Sequence, residues 1–466
     1  MKLALLLIAA LPLLAAGEAY DKAKEKVSKK VADDLCGVAR WCDGEEYYME
    51  RDRFYELALV YVSDHKKARV ALKYVRGDDG EWVQSDEYQP DRNHGRVDFE
   101  ALEKQESRVW ERWAKSMVSA IEKNEDDLTE EELETELRSI LTRFPDHARV
   151  RKRLGYVEGW EGHKWVTPAA KRAYERRKEI KGFAKARRKK APGPTESPLE
   201  DYEQECDISW NSHLETDLAR VVNTAGKKET ELALELIEAA PKFVADVLET
   251  GVGLPSGMTA YLVDSKELLP ALIEHVPGAR GPSVKGVGSW WATGSTLFVG
   301  TGNRAGRLDL LSTQAIHHLL GRGYGLTGKQ GWAFEGFGLY LSYKLCGTRL
   351  SYSVRPTEYV GGDKNRGSRL RASDANWLEE AHGVMSADKP PSLPFVFGKD
   401  VNQLTDVDLL VGYGLAAYVL EAHADKAAAI LGRLASEPAV TVLEEELNTQ
   451  LDRLQRDLTE WLGEVY

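Results

Sequence analysis

An α+β fold is the expectation for this chain, and three features of its sequence lead there. A run of helix-forming sequence closed by a short turn-and-strand element occurs twice, with an offset of 82 residues. From Glu203 onward, short β-branched and aromatic runs alternate with longer amphipathic ones. The last part has helical spacing alone: Leu443, Leu447, Leu451, Leu454, Leu458 and Trp461 form one apolar stripe. A chain of 466 residues, 42% of them hydrophobic, can build the cores of about three domains.

Charge and cysteine content narrow the function classes. With 63 Lys+Arg against 75 Asp+Glu, the formal net charge is −12, which disfavours a nucleic-acid partner. Four cysteines are too few for a disulfide scaffold and have no zinc-ribbon spacing. Cys36 and Cys42 stand six apart, so on one helix they point to different faces; with Cys206 and Cys346 isolated, no pairing follows.

The first element is a targeting segment. Lys2 gives a basic start, residues 3–14 are an unbroken apolar run, and Ala15, Ala16, Gly17 and Ala19 are small. That order reads as a signal peptide over 1–19, cleaved after Gly17 or Ala19, with a retained N-terminal anchor as the alternative. No Cys follows to carry a lipid, and no later stretch is long enough to be a transmembrane segment. Cleavage removes Lys2 and Glu18 together, leaving the charge balance as it was. The expected location is secreted, periplasmic or in the cell envelope.

Two copies of one module follow, over 20–90 and 91–167. The first carries Asp64, His65, Ala68, Arg69, Leu72, Tyr74, Val75 and Gly77, then Gly80, Trp82 and Val83. The second carries Asp146, His147, Val150, Arg151, Leu154, Tyr156, Val157 and Gly159, then Gly162, Trp165 and Val166 with one extra residue. Helices are expected over 23–41 and 47–62 before the first set, and over 108–123 and 130–143 before the second. Thr129 with Glu132 is a capping box that starts the last of these. The Asp-His segment begins a further helix, and the Gly-x-Trp-Val tail closes the unit as a small hairpin. Both copies resemble the tetratricopeptide-like helical modules that precede peptidase-like domains in some exported bacterial proteins. The second is the closer, since Lys73 stands where it has Gly155. The resemblance implies a docking surface for a peptide or polymer. Read as packing, Trp82 and Trp165 staple each hairpin to its helices.

Residues 168–202 are expected to be a basic helix and a Pro-rich linker. Eleven basic residues lie between Lys171 and Lys190 against Glu175 and Glu179, and Pro192-Gly193-Pro194 ends the helix. A basic helix can bind anionic polymers or lipid head groups, but this one lacks an apolar face and reads as a solvated linker.

The final domain spans 203–466. Strands are expected over 207–214, 258–263 and 295–300, with a helix over 229–248. Helices follow over 308–320, 332–343, 375–385, 408–422, 426–436 and 442–462. Gly300, Gly302 and Gly306 lie between a strand and a helix, but their last spacing is one too long for a dinucleotide loop, so they read as a turn. No Gly-x-Ser-x-Gly elbow is present.

Two motifs carry chemistry. One is Trp332-Ala333-Phe334-Glu335-Gly336-Phe337-Gly338-Leu339-Tyr340; the other, on the preceding helix, is Thr313-Gln314-Ala315-Ile316-His317, with seventeen residues between His317 and Glu335. Their arrangement resembles the gluzincin-type zinc metallopeptidases of the peptidase-MA-like family. There the first helix carries His-Glu-x-x-His, and the second supplies a Glu ligand from Trp-x-x-Glu-Gly-x-x-x-Tyr. The resemblance covers 203–466 and implies a small sheet, an active-site helix pair and an all-helical C-terminal lobe.

The departure from that pattern decides the expected function. Positions i and i+4 share a helix face, so two His there grip one metal. Here Thr313 replaces the first and is no effective zinc ligand, leaving His317 and Glu335 as residual metal ligands. Gln314 replaces the general base, whose loss costs about 10²–10⁴ in rate. His318 points ~100° away from His317 along the helix; His275, His382 or His423 would have to complete a rebuilt site. Tyr413, within Val411-Gly412-Tyr413-Gly414, is either an oxyanion donor or a packing residue. No catalytic residue and no cofactor are expected, with zinc only if the site is rebuilt. The expected function is an exported pseudopeptidase that binds a protein, peptide or polymer partner. The alternatives are a zinc peptidase with a rearranged site and a structural envelope protein.

Overall fold

The computed structural model describes residues 18–465 except 79, 87, 89–92, 94–95, 161–163, 249–250, 283–286, 351–365 and 373. The expected signal peptide lies outside the described residues up to Gly17; Glu18 already opens a helix. The chain forms two compact units, Met1–Trp165 and Val166–Tyr466.

The first unit builds the repeat twice. Helices Glu18–Gly44 and Tyr48–Tyr61, the short helix Lys66–Ala71 and the hairpin Tyr74–Arg76/Trp82–Gln84 form one copy. Helices Phe99–Lys123 and Glu130–Arg143, the short helix Ala148–Arg153 and the strands Val157–Glu158 and Trp165–Val166 form the other. The repeated residues have repeated jobs. His65 and His147 cap the short helices, their Nδ1 atoms accepting from Ala68 N at 3.4 Å and Val150 N at 3.3 Å. Arg69 and Arg151 donate from Nε to the carbonyls of Ser63 and Pro145, both at 2.9 Å, and lie 4.3 Å over the rings of Tyr74 and Tyr156. Each short helix is followed by a left-handed residue, Lys73 at φ 58° and Gly155 at φ 80°; only the glycine escapes the steric penalty. Trp82 gives its indole N–H to Asp64, stapling the first hairpin to the start of its short helix. The capping box forms in both directions, Thr129 N donating to Glu132 at 2.8 Å and Glu132 N to Thr129 Oγ1 at 3.3 Å.

The second unit holds a six-stranded sheet. In spatial order its strands are Thr195–Glu196, Ser212–Glu215, Ala219–Asn223, Met258–Val263, Thr296–Gly300 and Ser289–Trp291. The two central pairings are parallel and the outer ones antiparallel. Helix Lys227–Leu248 makes the crossover between the first parallel pair, as a parallel connection requires. Helices Arg304–Tyr324 and Gly331–Cys346 follow the sheet, and Asp406–Ala422 packs on the second of them. The fold is therefore α+β, with strands confined to this sheet and the two small hairpins among the described residues.

Several expectations are corrected. The strand expected over 207–214 is Ser212–Glu215, and strands Ala219–Asn223 and Ser289–Trp291 were not foreseen. The single helix over 442–462 is two, Ala439–Leu447 and Leu451–Val465, because Asn448 turns left-handed at φ 49° and ends the first. The basic helix, Pro168–Lys189, belongs to the second unit and is not a free linker. Its Arg177 makes a bidentate pair with Glu421 at 2.8 and 2.7 Å, and Arg187 does the same with Asp246 at 2.6 Å. All four cysteines are unpaired, with Cys36, Cys42 and Cys206 buried. No helix among the described residues is long and apolar enough to cross a membrane.

Candidate functional site

The two motifs come together on the paired helices Arg304–Tyr324 and Gly331–Cys346. The first helix starts at Asn303, whose side chain accepts from Ala305 N at 3.0 Å and Gly306 N at 3.4 Å. Buried Glu229 sits beside that end, bound by Arg307 at 2.7 and 3.0 Å. The glycine-rich turn is thus a capped helix start: the Ala305 and Gly306 amides are bonded to Asn303, and the nearby Arg307 is already paired with Glu229.

The two substituted positions of the pentapeptide are tied into the structure. Thr313 is buried and donates to Ser342 Oγ on the second helix at 3.2 Å. Gln314 reaches the sheet edge, its Nε2 lying 3.2 Å from Ser289 Oγ and 3.4 Å from Ser289 O. Trp291 on the same strand returns a bond from its indole N–H to the Gln314 carbonyl at 3.4 Å.

His317 and Glu335 do meet. Nε2 of the imidazole stands 4.0 Å from a Glu335 carboxylate oxygen, and the two residues are only 8% and 6% exposed. The imidazole stacks on Phe334 with ring centres 4.0 Å apart, and its Nε2 has no hydrogen-bond partner. Gly338 makes room for it: a Cβ there would lie 2.2 Å from Nε2. Burial pushes the Glu335 carboxyl up to about 7 and the His317 imidazole down to about 4. A neutral acid and a neutral imidazole therefore face each other over most of the range between those values.

Comparison with known protein families, curated proteins and solved structures finds no match for this chain. Only the chemistry of these residues bears on what the site can do. Catalytic zinc takes three protein ligands, and His317 with Glu335 supplies two. Among the described residues no three His, Cys, Asp or Glu side chains converge on one point. His318 stacks on Trp291 at 4.4 Å instead, His275 bonds the Ala271 carbonyl at 2.9 Å, and His423 packs on Tyr418 at 4.7 Å. His382 lies against Gly463. These residues do not fit a catalytic zinc ion.

Tyr413 is an anchor. Arg349 donates to its hydroxyl and to the Ala375 carbonyl at 2.8 Å. The guanidinium lies in a cage of Tyr343, Trp377 and Tyr413, with ring centres at 3.8, 4.9 and 4.9 Å. Tyr340, which closes the nine-residue motif, donates to buried Glu421 at 2.6 Å. The sequence reading missed Ser342, Phe334, Gly338, Ser289 and Arg349. Phe334 and Gly338 lie within one turn of Glu335, so the motif itself held that signal. Nothing in the sequence points to Ser289 across 25 residues.

Proposed function

We propose that the chain is an exported pseudopeptidase: a gluzincin-like helix pair without the peptidase chemistry, acting by binding a protein, peptide or polymer partner. One observation carries this reading. Thr313 and Gln314, at the positions of the first zinc ligand and the general base, are spent in hydrogen bonds to Ser342 and Ser289. An amide held in this way takes no proton from water, and the His317 imidazole, pushed down to about 4 by burial, is a weaker base than an ordinary histidine. A binding role has room in the first unit, where a groove of about 640 Å³ is lined by Arg53, Phe99, Glu106, Trp110 and Arg143. Phe99 stands 67% exposed at that groove.

The test is metal content, measured by elemental analysis of the native chain and of a Thr313→His/Gln314→Glu variant, with circular dichroism to verify folding. Two zinc ligands at ~2.0–2.1 Å in tetrahedral geometry stand roughly 3.3 Å apart. The native 4.0 Å pair is a small closure away from that. Near-zero zinc in the native chain and near-stoichiometric zinc in the variant are expected. Stoichiometric zinc in the native chain, or chelator-sensitive peptide hydrolysis by it, overturns the proposal.

A further inference from the structure

The helix Pro168–Lys189 divides its cations by type. Four of its five arginines work inward: Arg176 bonds the Val247 carbonyl at 3.2 Å, Arg177 holds Glu421, Arg187 holds Asp246, and Arg188 holds Glu235 at 2.5 Å. Its lysines do not. Lys178, Lys181, Lys185 and Lys189 are exposed, and none has an ion pair among the described residues; Lys178 lies 4.2 Å over the Tyr174 ring. At ~100° per residue these four fall within a sector of about 80°, a straight row roughly 16 Å long. Glu175 and Glu179, the acidic residues of this helix, fall outside that sector, and Glu179 is bound by Arg176.

We propose that this lysine row is a docking surface for an anionic lipid bilayer. The chain as a whole is acidic, but surface potential acts within a Debye length of about 8 Å, so the local row and not the net charge meets the membrane. A rigid row on one helix face presents all four ammonium groups to a plane at once. Lysine suits a diffuse negative surface, whereas arginine forks suit individual phosphates, and here the four named forks are turned inward. A single-stranded polyanion needs a groove and stacking rings, and the one ring in this row lies beneath Lys178. With no apolar face to insert, the contact is peripheral and salt-sensitive.

Vesicle flotation of the full chain tests this, comparing phosphatidylglycerol-containing vesicles with pure phosphatidylcholine. The apolar N-terminal segment acts on both alike, so the difference between them is the readout. Binding to the anionic vesicles should exceed binding to the neutral ones and fall with salt. Lys178→Gln/Lys181→Gln/Lys185→Gln/Lys189→Gln should weaken it by about five-fold per lysine, on the order of 10²–10³ in all. A control removing the same charge elsewhere, Lys26→Gln/Lys66→Gln/Lys104→Gln/Lys123→Gln, should retain it. Equal loss in both variants, equal binding to both vesicle types, or lysine-dependent binding to polyphosphate without vesicle binding overturns the proposal.

Discussion

Glu335 and His317 are both held neutral by burial, yet they act on stability in opposite directions. The carboxyl is pushed from 4.5 up to about 7, so its contribution is complete below 4.5 and is lost as pH rises through 7. The imidazole is pushed from 6.5 down to about 4, so its contribution is complete above 6.5 and is lost as pH falls through 4. Between about 4.5 and 6.5 one slope offsets the other, and the pair contributes a nearly flat profile. Glu335→Gln removes one slope and uncovers the other. Chemical denaturation of that variant should show stability climbing from pH 4 to 6.5 by up to about 3 kcal/mol relative to the native chain. Above pH 7 the variant should be the more stable of the two, because the native chain must then bury an ionised carboxylate. Parallel profiles for the two proteins would mean that the pair is not shielded from water.

The helix Gly331–Cys346, which carries Glu335, crosses the helix Asp406–Ala422 at a point with no side chain in it. A Cβ on Gly336 would lie 2.4 Å from the Gly412 carbonyl oxygen, and one on Gly412 would lie 2.8 Å from the Trp332 carbonyl oxygen. The obstacle in each case is backbone, so relief requires the helices Gly331–Cys346 and Asp406–Ala422 to part. Doing so opens the packing of Trp332, Tyr340 and Tyr413, all at most 2% exposed. Gly336→Ala should therefore cost about 1–3 kcal/mol. Gly383, exposed inside helix Trp377–Met385 with nothing within 4 Å of a Cβ, is the control: Gly383→Ala should stabilise by up to about 1 kcal/mol. Thermal melts of both variants check the pair of signs. At this scale the sequence was legible where local chemistry sets the element. Thr129 and Glu132 mark a helix start, the β-branched and aromatic run at 258–263 is a strand, and the pentapeptide and its partner motif fall on adjacent helices. Elements set by tertiary pairing were not. Ser289–Trp291 is too short to show a period and exists because it pairs with Thr296–Gly300. The break at Asn448 was hidden because Leu447 and Leu451 keep helical spacing across it.

The same blindness to distance moved the boundary of the whole second unit. Ten basic residues in one helix read as solvated because the acid that binds Arg177 lies 244 residues further on. Glu421 is fully buried, held by Arg177 and Tyr340, with Lys344 at 3.7 Å. A fragment beginning at residue 203 would keep that carboxylate and lose its bidentate partner, along with the edge strand Thr195–Glu196. Stranding a buried charge in this way costs about 3–5 kcal/mol. That is a large share of the roughly 5–15 kcal/mol by which a domain is stable. The fragment 166–466 should melt cooperatively, whereas 203–466 should show a broad or absent transition. Arg177→Ala within the longer fragment should reproduce most of the loss, which separates the effect of one ion pair from that of a missing helix. Equal cooperativity in the two fragments would make the basic helix an accessory to the fold. The arginine side of that helix would then have no structural task, and the contrast between its inward arginines and outward lysines would lose its physical basis.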